Sequence, residues 1–255
     1  MEIPKVIHYC WFGGKPLPKL GIKCIESWRK FFPDYEIKRW DESNFDVDAI
    51  AYTKESYAAK KYAFVSDYAR FWILYKYGGL YFDTDVEVIR PMDEIIARGS
   101  FMGCEQPAEI GALPQKLGVA PGLGLGVTPG LELYKEILEL YSSLHFILDD
   151  GSYNYTTVVR YVTDLLCEKG LKNLPEIQYI RGVYIYPADY FCPISTIDGK
   201  LRLTPNTRSV HWYEQSWQSP LLKYGRKLVL FLGGPKLKRI IKTIFLSKRK
   251  TVSDF

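Results

Sequence analysis

The sequence predicts an α/β fold with a mixed central sheet flanked by helices. Residues 6–12 form an apolar and aromatic run closed by a glycine pair, which is typical of a buried strand. Residues 18–31 carry apolar side chains at intervals of three and four, the period of an amphipathic helix. Residues 66–88 change from helical period to strand period within one segment. Helices and strands thus follow one another along the chain, as in an α/β fold.

The first strand leads into a loop that could receive a ligand. Gly13 and Gly14 follow it directly, and glycines at the carboxyl end of a strand let a ligand approach the backbone. Pro33 ends the helix at 18–31, and residues 35–40 alternate as a second strand.

The remaining elements are predicted from the same periodicities. Helical patterns occur as short pieces within 43–62 and at 92–96, 131–148 and 155–169, and strands are indicated at 101–105, 184–187 and 209–213. The glycine-rich run 120–127 lacks the Lys-Ser/Thr that follows a phosphate loop. A nucleotide-binding phosphate loop is therefore not predicted there, and the preceding residues 106–118 are expected to form a mobile loop.

Residues 66–77 predict a helix with a charged pair on one face. Ser66 is the expected N-cap, and the glycine pair after residue 77 supplies the positive-φ stop. Asp67 and Arg70 are three residues apart, so the helix brings their side chains together.

Residues 80–88 are predicted as one continuous strand. Alternation then places Asp83, Asp85 and Glu87 on one face, where three carboxylates would repel one another without a cation. Mn²⁺ or Mg²⁺ suits these oxygen ligands, and such ions commonly bind a substrate diphosphate as well. A lone Asp-x-Asp is usually only a solvent-facing strand edge, but the neighbouring Asp67 and Arg70 favour a site.

This combined pattern resembles a known enzyme family. Ser66-Asp67-x-x-Arg70 followed by Gly78-Gly79-x-Tyr81-x-Asp83-x-Asp85 is similar to the sugar-nucleotide-binding segment of glycosyltransferase family 32 and its relatives. These include yeast Golgi mannosyltransferases, bacterial capsular polysaccharide synthesis proteins and the glucosylating domain of large clostridial toxins. The resemblance implies a GT-A-type fold over most of the chain, from Ile3 to about residue 217.

The resemblance also implies residue roles. Asp85 is expected to bind the metal directly, and Asp83 to contact the ribose, the sugar or a metal-bound water. Asp67 and Arg70 are expected to hold hydroxyls of the donor sugar. With such a donor, the glycine-rich backbone at 120–127 is expected to pass along the bound sugar, and residues 151–157 are expected to line an acceptor cleft. No residue is marked as a nucleophile by the sequence.

The nucleotide is expected to lie at the end of the first strand. The resemblance places Trp11 against the base, with Phe12 and Gly13 beside it and Tyr81 near the donor; the alternative for Trp11 is a core tryptophan. His8 is expected to be structural.

Near the C-terminus, His211, Ser216 and Trp217 match a His…Ser-Trp segment that closes over metal and diphosphate, with His211 as a metal ligand and Trp217 as a donor to phosphate. The alternative is an aromatic core cluster.

Charge divides the chain into two predicted parts. Residues 215–255 contain ten Lys/Arg and one acid, whereas residues 1–214 contain twenty-four and twenty-eight. We predict a catalytic domain at 1–222 and a basic, amphipathic helical appendage at 223–255 that binds an anionic membrane surface. Packing of this tail on the core is the alternative, and no motif supports nucleic-acid binding.

Other features indicate a cytoplasmic protein, peripheral on the inner face of the plasma membrane. The N-terminus lacks a signal-peptide pattern, no stretch is long and apolar enough to span a membrane, and five scattered cysteines suggest reduced thiols. The length of 255 residues, of which 47% are apolar, is ample for a packed core.

The sequence thus predicts a metal-dependent, retaining glycosyltransferase. It would move a hexose from a nucleotide diphosphate sugar, with uridine favoured, to a glycan or lipid-linked acceptor in bacterial surface polysaccharide synthesis. The alternatives are a mannosyltransferase that uses GDP-mannose and a non-catalytic carbohydrate-binding relative. A metal-dependent phosphohydrolase is disfavoured, because only three histidines are present.

Overall fold

The computed structural model describes residues 2–105, 118–195 and 199–214. Most of the predicted loop at 106–118, Ser216, Trp217 and the appendage at 223–255 therefore lie outside the described residues. The strands are β1 (Val6–Cys10), β2 (Glu36–Trp40), β3 (Gly79–Tyr81), β4 (Val86–Val88), β5 (Phe101–Gly103), β6 (Leu125–Val127), β7 (Gln178–Ile180), β8 (Val183–Tyr186) and β9 (Ser209–His211). The helices are α1 (Lys19–Phe31), α2 (Ala51–Ala58), α3 (Tyr62–Tyr77), α4 (Asp93–Arg98), α5 (Glu132–Ser142), α6 (Val158–Glu168) and α7 (Ala188–Phe191).

Within the described part of the chain, seven strands form one mixed sheet in the order β2-β1-β3-β6-β5-β8-β7. β1 runs parallel to β2 and β3, and β5 runs parallel to β8, whereas β6 and β7 pair with their neighbours in antiparallel fashion. β4 and β9 form a separate antiparallel pair. The predicted α/β class, with a mixed central sheet flanked by helices, is confirmed.

The sheet separates two hydrophobic cores. Leu80 and Tyr81 are consecutive in β3 and belong to different clusters of buried side chains, because successive residues of a strand point to opposite faces. α3 and α5 pack in one cluster, whereas Ile25 and Trp28 of α1 pack in the other. No helix in these described ranges is long and apolar enough to cross a membrane.

The predicted continuous strand at 80–88 is wrong. β3 ends at Tyr81, and β4 starts at Val86 in a different sheet. The chain turns between them, because the N–H of Val86 donates to the carbonyl of Asp83 over 3.0 Å. Glu87 accordingly faces Lys23 at 2.8 Å and the indole N–H of Trp212 at 2.9 Å, away from the predicted row of carboxylates.

Two predicted helix boundaries are also wrong. α3 begins at Tyr62, one turn before the predicted N-cap Ser66, since burial of Phe64 and Val65 extends the helix backwards. The hydroxyl of Ser66 instead donates to the carbonyl of Tyr62 within the helix. The helix predicted at 131–148 ends at Ser142, because the following backbone is held by Glu55 of α2.

Candidate functional site

The candidate site lies where β1 and β3 end side by side. These strands are parallel, with His8 opposite Tyr81, so their carboxyl ends meet at one edge of the sheet. The Trp11–Gly14 loop follows β1, and Asp83 follows β3 by two residues. Ligands of open α/β sheets bind at this kind of edge.

His8 is buried and structural: its ring nitrogens contact the Gly78 carbonyl and the Trp40 indole N–H, each at 3.0 Å.

Arg70 joins two of the predicted carboxylates. Its Nη2 lies 2.9 Å from Asp67 Oδ1 and 3.4 Å from Asp83 Oδ1, and its guanidinium lies over the ring of Tyr81. The predicted pairing of Asp67 with Arg70 is therefore confirmed. Burial disfavours the charge on Arg70, but Asp83 and the other acids around it raise its pKa, so the guanidinium stays positive.

Asp67 is buried, and its carboxylate also accepts a hydrogen bond from the backbone N–H of Val158, the first residue of α6. Burial raises the pKa of Asp67 above its usual range, although Arg70 opposes the shift. The carboxylate thus links α3 to the start of α6.

The glycine-rich run passes directly beside Asp83. The Asp83 N–H donates to the Gly122 carbonyl over 3.2 Å, and a Cβ added at Gly122 would lie 2.0 Å from Asp83 Oδ2. A larger residue at 122 would therefore displace the carboxylate. The sequence predicted that this run passes along the donor, and the structure places it against a predicted donor-binding aspartate.

Asp85 is held by the end of β9. Its Oδ1 lies 3.1 Å from Nε2 of His211, and its Oδ2 accepts the backbone N–H of Glu214 at 2.8 Å. The positive φ of Tyr213, 51°, folds the chain back so that this N–H reaches Asp85. Burial favours a neutral acid, but the charge and hydrogen bond of His211 hold the pKa of Asp85 below its usual range. The same pairing raises the pKa of His211 against the effect of burial.

Asp83, Asp85 and His211 fit a divalent cation. Ligand atoms of these three residues lie within 4.8 Å of one another. Nδ1 of His211 is buried and has no hydrogen-bond partner among the described residues. A bound ion or one of its water ligands could provide the missing partner of this nitrogen. Two carboxylates and an imidazole are suitable donors for Mn²⁺, and Mg²⁺ accepts the carboxylates.

The residues predicted to bind the nucleotide differ in their accessibility. Trp11 is half-buried and its indole N–H donates to the Lys15 carbonyl over 2.6 Å, while Gly13 has a φ of 89° and abuts the ring of Tyr62. Phe12 is buried against Phe45, and Tyr81 is buried with its hydroxyl 3.2 Å from Asp83. The rings of Phe12 and Tyr81 are therefore buried beneath the site, and their contact with a nucleotide stays a prediction.

Two neighbouring residues were not predicted as part of the site. Glu105 follows β5 and hydrogen-bonds Tyr213, whose ring lies 4.2 Å from that of His211. Burial raises the pKa of Glu105. An acid at the carboxyl end of a strand was a visible signal for Glu105, whereas the role of Tyr213 depends on a backbone turn that the sequence does not reveal.

Comparison with known proteins identifies the segment that holds most of this site. Residues 18–102 match the family model described as "Glycosyltransferase sugar-binding region containing DXD motif". Two similar curated proteins come from Schizosaccharomyces pombe, and the chain spans about a third of their length. "Inositol phosphoceramide mannosyltransferase 1" is 30% identical over 112 residues, which cover 40% of this chain and 34% of that protein. "Inositol phosphoceramide mannosyltransferase 3" is 33% identical over 112 residues, covering 42% and 31%.

Two solved structures are similar at lower identity. "PaToxG Glycosyltransferase" gives a TM-score of 0.48 at 20% identity and covers 66% of this chain and 70% of that one. A "glycosyltransferase involved in the glycosylation of the major capsid of PBCV-1" gives 0.46 at 12% identity and covers 88% and 98%. The family match over residues 18–102 confirms that this chain resembles the DXD-containing glycosyltransferases.

Proposed function

We propose that this protein is a metal-dependent glycosyltransferase that moves a hexose from a nucleotide diphosphate sugar to a glycan or lipid-linked acceptor. One observation supports this most directly. Arg70 binds the two aspartates Asp67 and Asp83 at the same sheet edge where Asp85 meets His211. A sugar-hydroxyl site and a candidate metal site are thus adjacent, as transfer from a sugar diphosphate requires.

Each side of the site has its own task in this proposal. Asp67 and Arg70 orient the donor sugar, because a buried ion pair presents fixed donors and acceptors to hydroxyls. Asp83, Asp85 and His211 hold a divalent ion, which supplies Lewis-acid neutralisation of the departing diphosphate when it is bound. Gly122 leaves room beside Asp83, and the Trp11 loop receives the base.

The choice of uridine over guanosine follows from the resemblance of the Trp11 loop to that of the toxin enzymes. Release of nucleotide from a panel of uridine and guanosine diphosphate sugars, with and without Mn²⁺, tests both the nucleotide and the metal. We expect Mn²⁺-dependent turnover of a uridine donor. A guanosine donor used ten times more efficiently, a difference of ~1.4 kcal/mol in activation free energy, would reverse the assignment. No turnover of any donor would favour a non-catalytic carbohydrate-binding protein.

A GDP-mannose-dependent mannosyltransferase is the second candidate. The names of the two similar yeast proteins favour it, since both are called mannosyltransferases. The same panel separates the two candidates. Nuclear magnetic resonance of the first-formed product tests the retention of anomeric configuration that the resemblance implies.

A further inference from the structure

The hairpin at 144–157 exposes a compact set of large apolar side chains. Tyr153 and Tyr155 are 39% and 48% exposed, and Ile147 and Leu148 are also exposed. The two tyrosine rings are 6.0 Å apart in an edge-to-face arrangement. Clustered exposed apolar surface of this kind commonly marks a binding site, whereas singly scattered residues do not.

The hairpin is held firmly in this conformation. The N–H of Leu148 donates to the Ser152 carbonyl, and the N–H of Asn154 donates to the Phe146 carbonyl, both over 2.8 Å. The buried ring of Phe146 stacks on Tyr153 with centroids 5.2 Å apart. The aromatic surface is therefore formed before any ligand arrives, which lowers the entropic cost of binding.

A lysine lies over both exposed rings. Nζ of Lys61 is 5.9 Å from the ring centroid of Tyr153 and 5.8 Å from that of Tyr155. Among the described residues no carboxylate lies within salt-bridge distance of Lys61. The surface thus combines two amphipathic rings with a cation that has no anionic partner there.

This surface adjoins the residues that we assign to the donor sugar. Lys61 directly precedes α3 and lies six residues before Asp67, which is about 9 Å along a helix axis. The ring of Tyr155 is 6.0 Å from that of Phe64, and Val158, three residues further on, donates its N–H to Asp67. A chain of sugars bound at the surface could therefore reach the donor.

We propose that Tyr153, Tyr155 and Lys61 form an acceptor subsite for a saccharide that carries a negative charge. The assignment rests on the proposed glycosyl transfer, because only that reaction needs an acceptor beside Asp67. The apolar face of a sugar ring packs on an aromatic ring, and the tyrosine hydroxyls bond its edge. Lys61 then binds an anionic group on the same saccharide. A purely apolar ligand would gain nothing from this cation.

Calorimetry on the full chain tests the subsite with two soluble probes. Hyaluronan hexasaccharide carries carboxylates, and hexa-N-acetylchitohexaose is neutral. We expect the intact protein to bind the first at least tenfold more tightly. Tyr155→Ala and Tyr153→Ala should each weaken that binding at least tenfold, whereas Lys61→Gln should bring the two affinities to within about twofold of each other. Thermal melting verifies that each variant is folded.

Two matched variants serve as controls. Tyr179→Ala removes a tyrosine that is 62% exposed on β7, and Lys30→Gln removes a lysine that lies 5.2 Å from the ring of Phe31. Both should keep the intact affinities. Equal affinity of the intact protein for the two probes, or equal losses in the controls, would overturn the subsite. The subsite would also be overturned if the intact protein bound neither saccharide while Tyr155→Ala removed its binding to anionic vesicles. That result would assign the surface to lipid.

The outcome for the subsite is separable from that for the proposed function. Tight, lysine-dependent saccharide binding by an intact protein that neither binds nor hydrolyses nucleotide sugars supports a saccharide site but refutes glycosyl transfer. Donor turnover without any preference for the charged hexasaccharide refutes the subsite alone.

Discussion

Arg70 is buried, and its guanidinium contacts both Asp67 and Asp83. A buried cation in contact with two carboxylates fixes their positions, because without the guanidinium the two acids would face each other with no positive charge between them. Asp85 is fixed differently, by His211 and by the backbone N–H of Glu214. Different parts of the fold therefore hold the two aspartates of the Asp-x-Asp pair.

Asp85→Asn should remove metal-dependent binding of the nucleotide diphosphate while the fold persists. The change replaces an ionised oxygen ligand at nearly constant side-chain volume. Calorimetry with uridine diphosphate and Mn²⁺ should show a loss of affinity of more than about tenfold, or ~1.4 kcal/mol. Asp34→Asn, at an exposed aspartate whose side chain is 78% accessible, is the matched control. Metal-dependent affinity that is unchanged in Asp85→Asn would contradict the role of Asp85.

His8 should make the protein less stable as the pH falls. Burial lowers the pKa of His8 from 6.5 to about 4, so the unfolded chain binds a proton that the folded chain refuses. Stability should therefore fall as the pH drops from about 6.5 to about 4, by roughly 3 kcal/mol in total.

Urea denaturation between pH 7 and 4.5 measures this loss. His8→Gln, which cannot titrate at this position, should show a shallower fall than the intact protein. The same slope in His8→Gln as in the intact protein would contradict the assignment.

At the scale of elements, Glu55 of α2 holds the start of the hairpin at 144–157. Its Oε2 accepts the backbone N–H groups of Phe146 and Ile147 at 2.7 and 2.9 Å, and its Oε1 lies 2.7 Å from His145. These bonds outweigh the burial that opposes the charge, so the pKa of Glu55 is lowered. A helix side chain thus sets the conformation of a distant loop.

Glu55→Gln should lower the free energy of unfolding by ~1–2 kcal/mol, because an amide replaces a charged acceptor of two N–H groups. The pKa of Glu55 is lower in the folded state, so its contribution is present at neutral pH and is lost as the pH falls through that lowered value. Intact protein and variant should therefore converge in strong acid. Glu139→Gln, at a largely exposed glutamate of α5, is the control. A constant difference between intact protein and Glu55→Gln at all pH values would contradict the charged role.

At the scale of the whole molecule, the charge of the chain is concentrated at its C-terminus. Residues 215–255 hold ten Lys/Arg and one acid and lie outside the described residues. The boundary at 222 and the membrane role of the tail remain proposals based on charge and periodicity.

The tail should bring the protein to anionic vesicles at low salt, with attraction that weakens as salt screens it over ~8 Å. Co-sedimentation of the full chain and of a chain cut after Tyr224 measures the difference. Neutral vesicles are the control. Equal binding of the two chains, or no binding at low salt, would assign the tail to the catalytic domain instead.

The sequence by itself determined the α/β class, the pairing of Asp67 with Arg70 and the family resemblance. All of these depend on local spacing: i,i+3 contacts and apolar periodicity follow from the geometry of one element. The tertiary structure decided how Asp85 and His211 meet, since that contact needs the pairing of β4 with β9 across more than a hundred residues. It also decided that residues 80–88 turn instead of forming one strand, because the Asp83 N–H donates to the Gly122 carbonyl and the Val86 N–H donates to the Asp83 carbonyl, in place of strand pairing there. Contacts between distant segments have no signature in local periodicity, so only the structure showed that Gly122 contacts Asp83 and that Glu105 hydrogen-bonds Tyr213 beside His211.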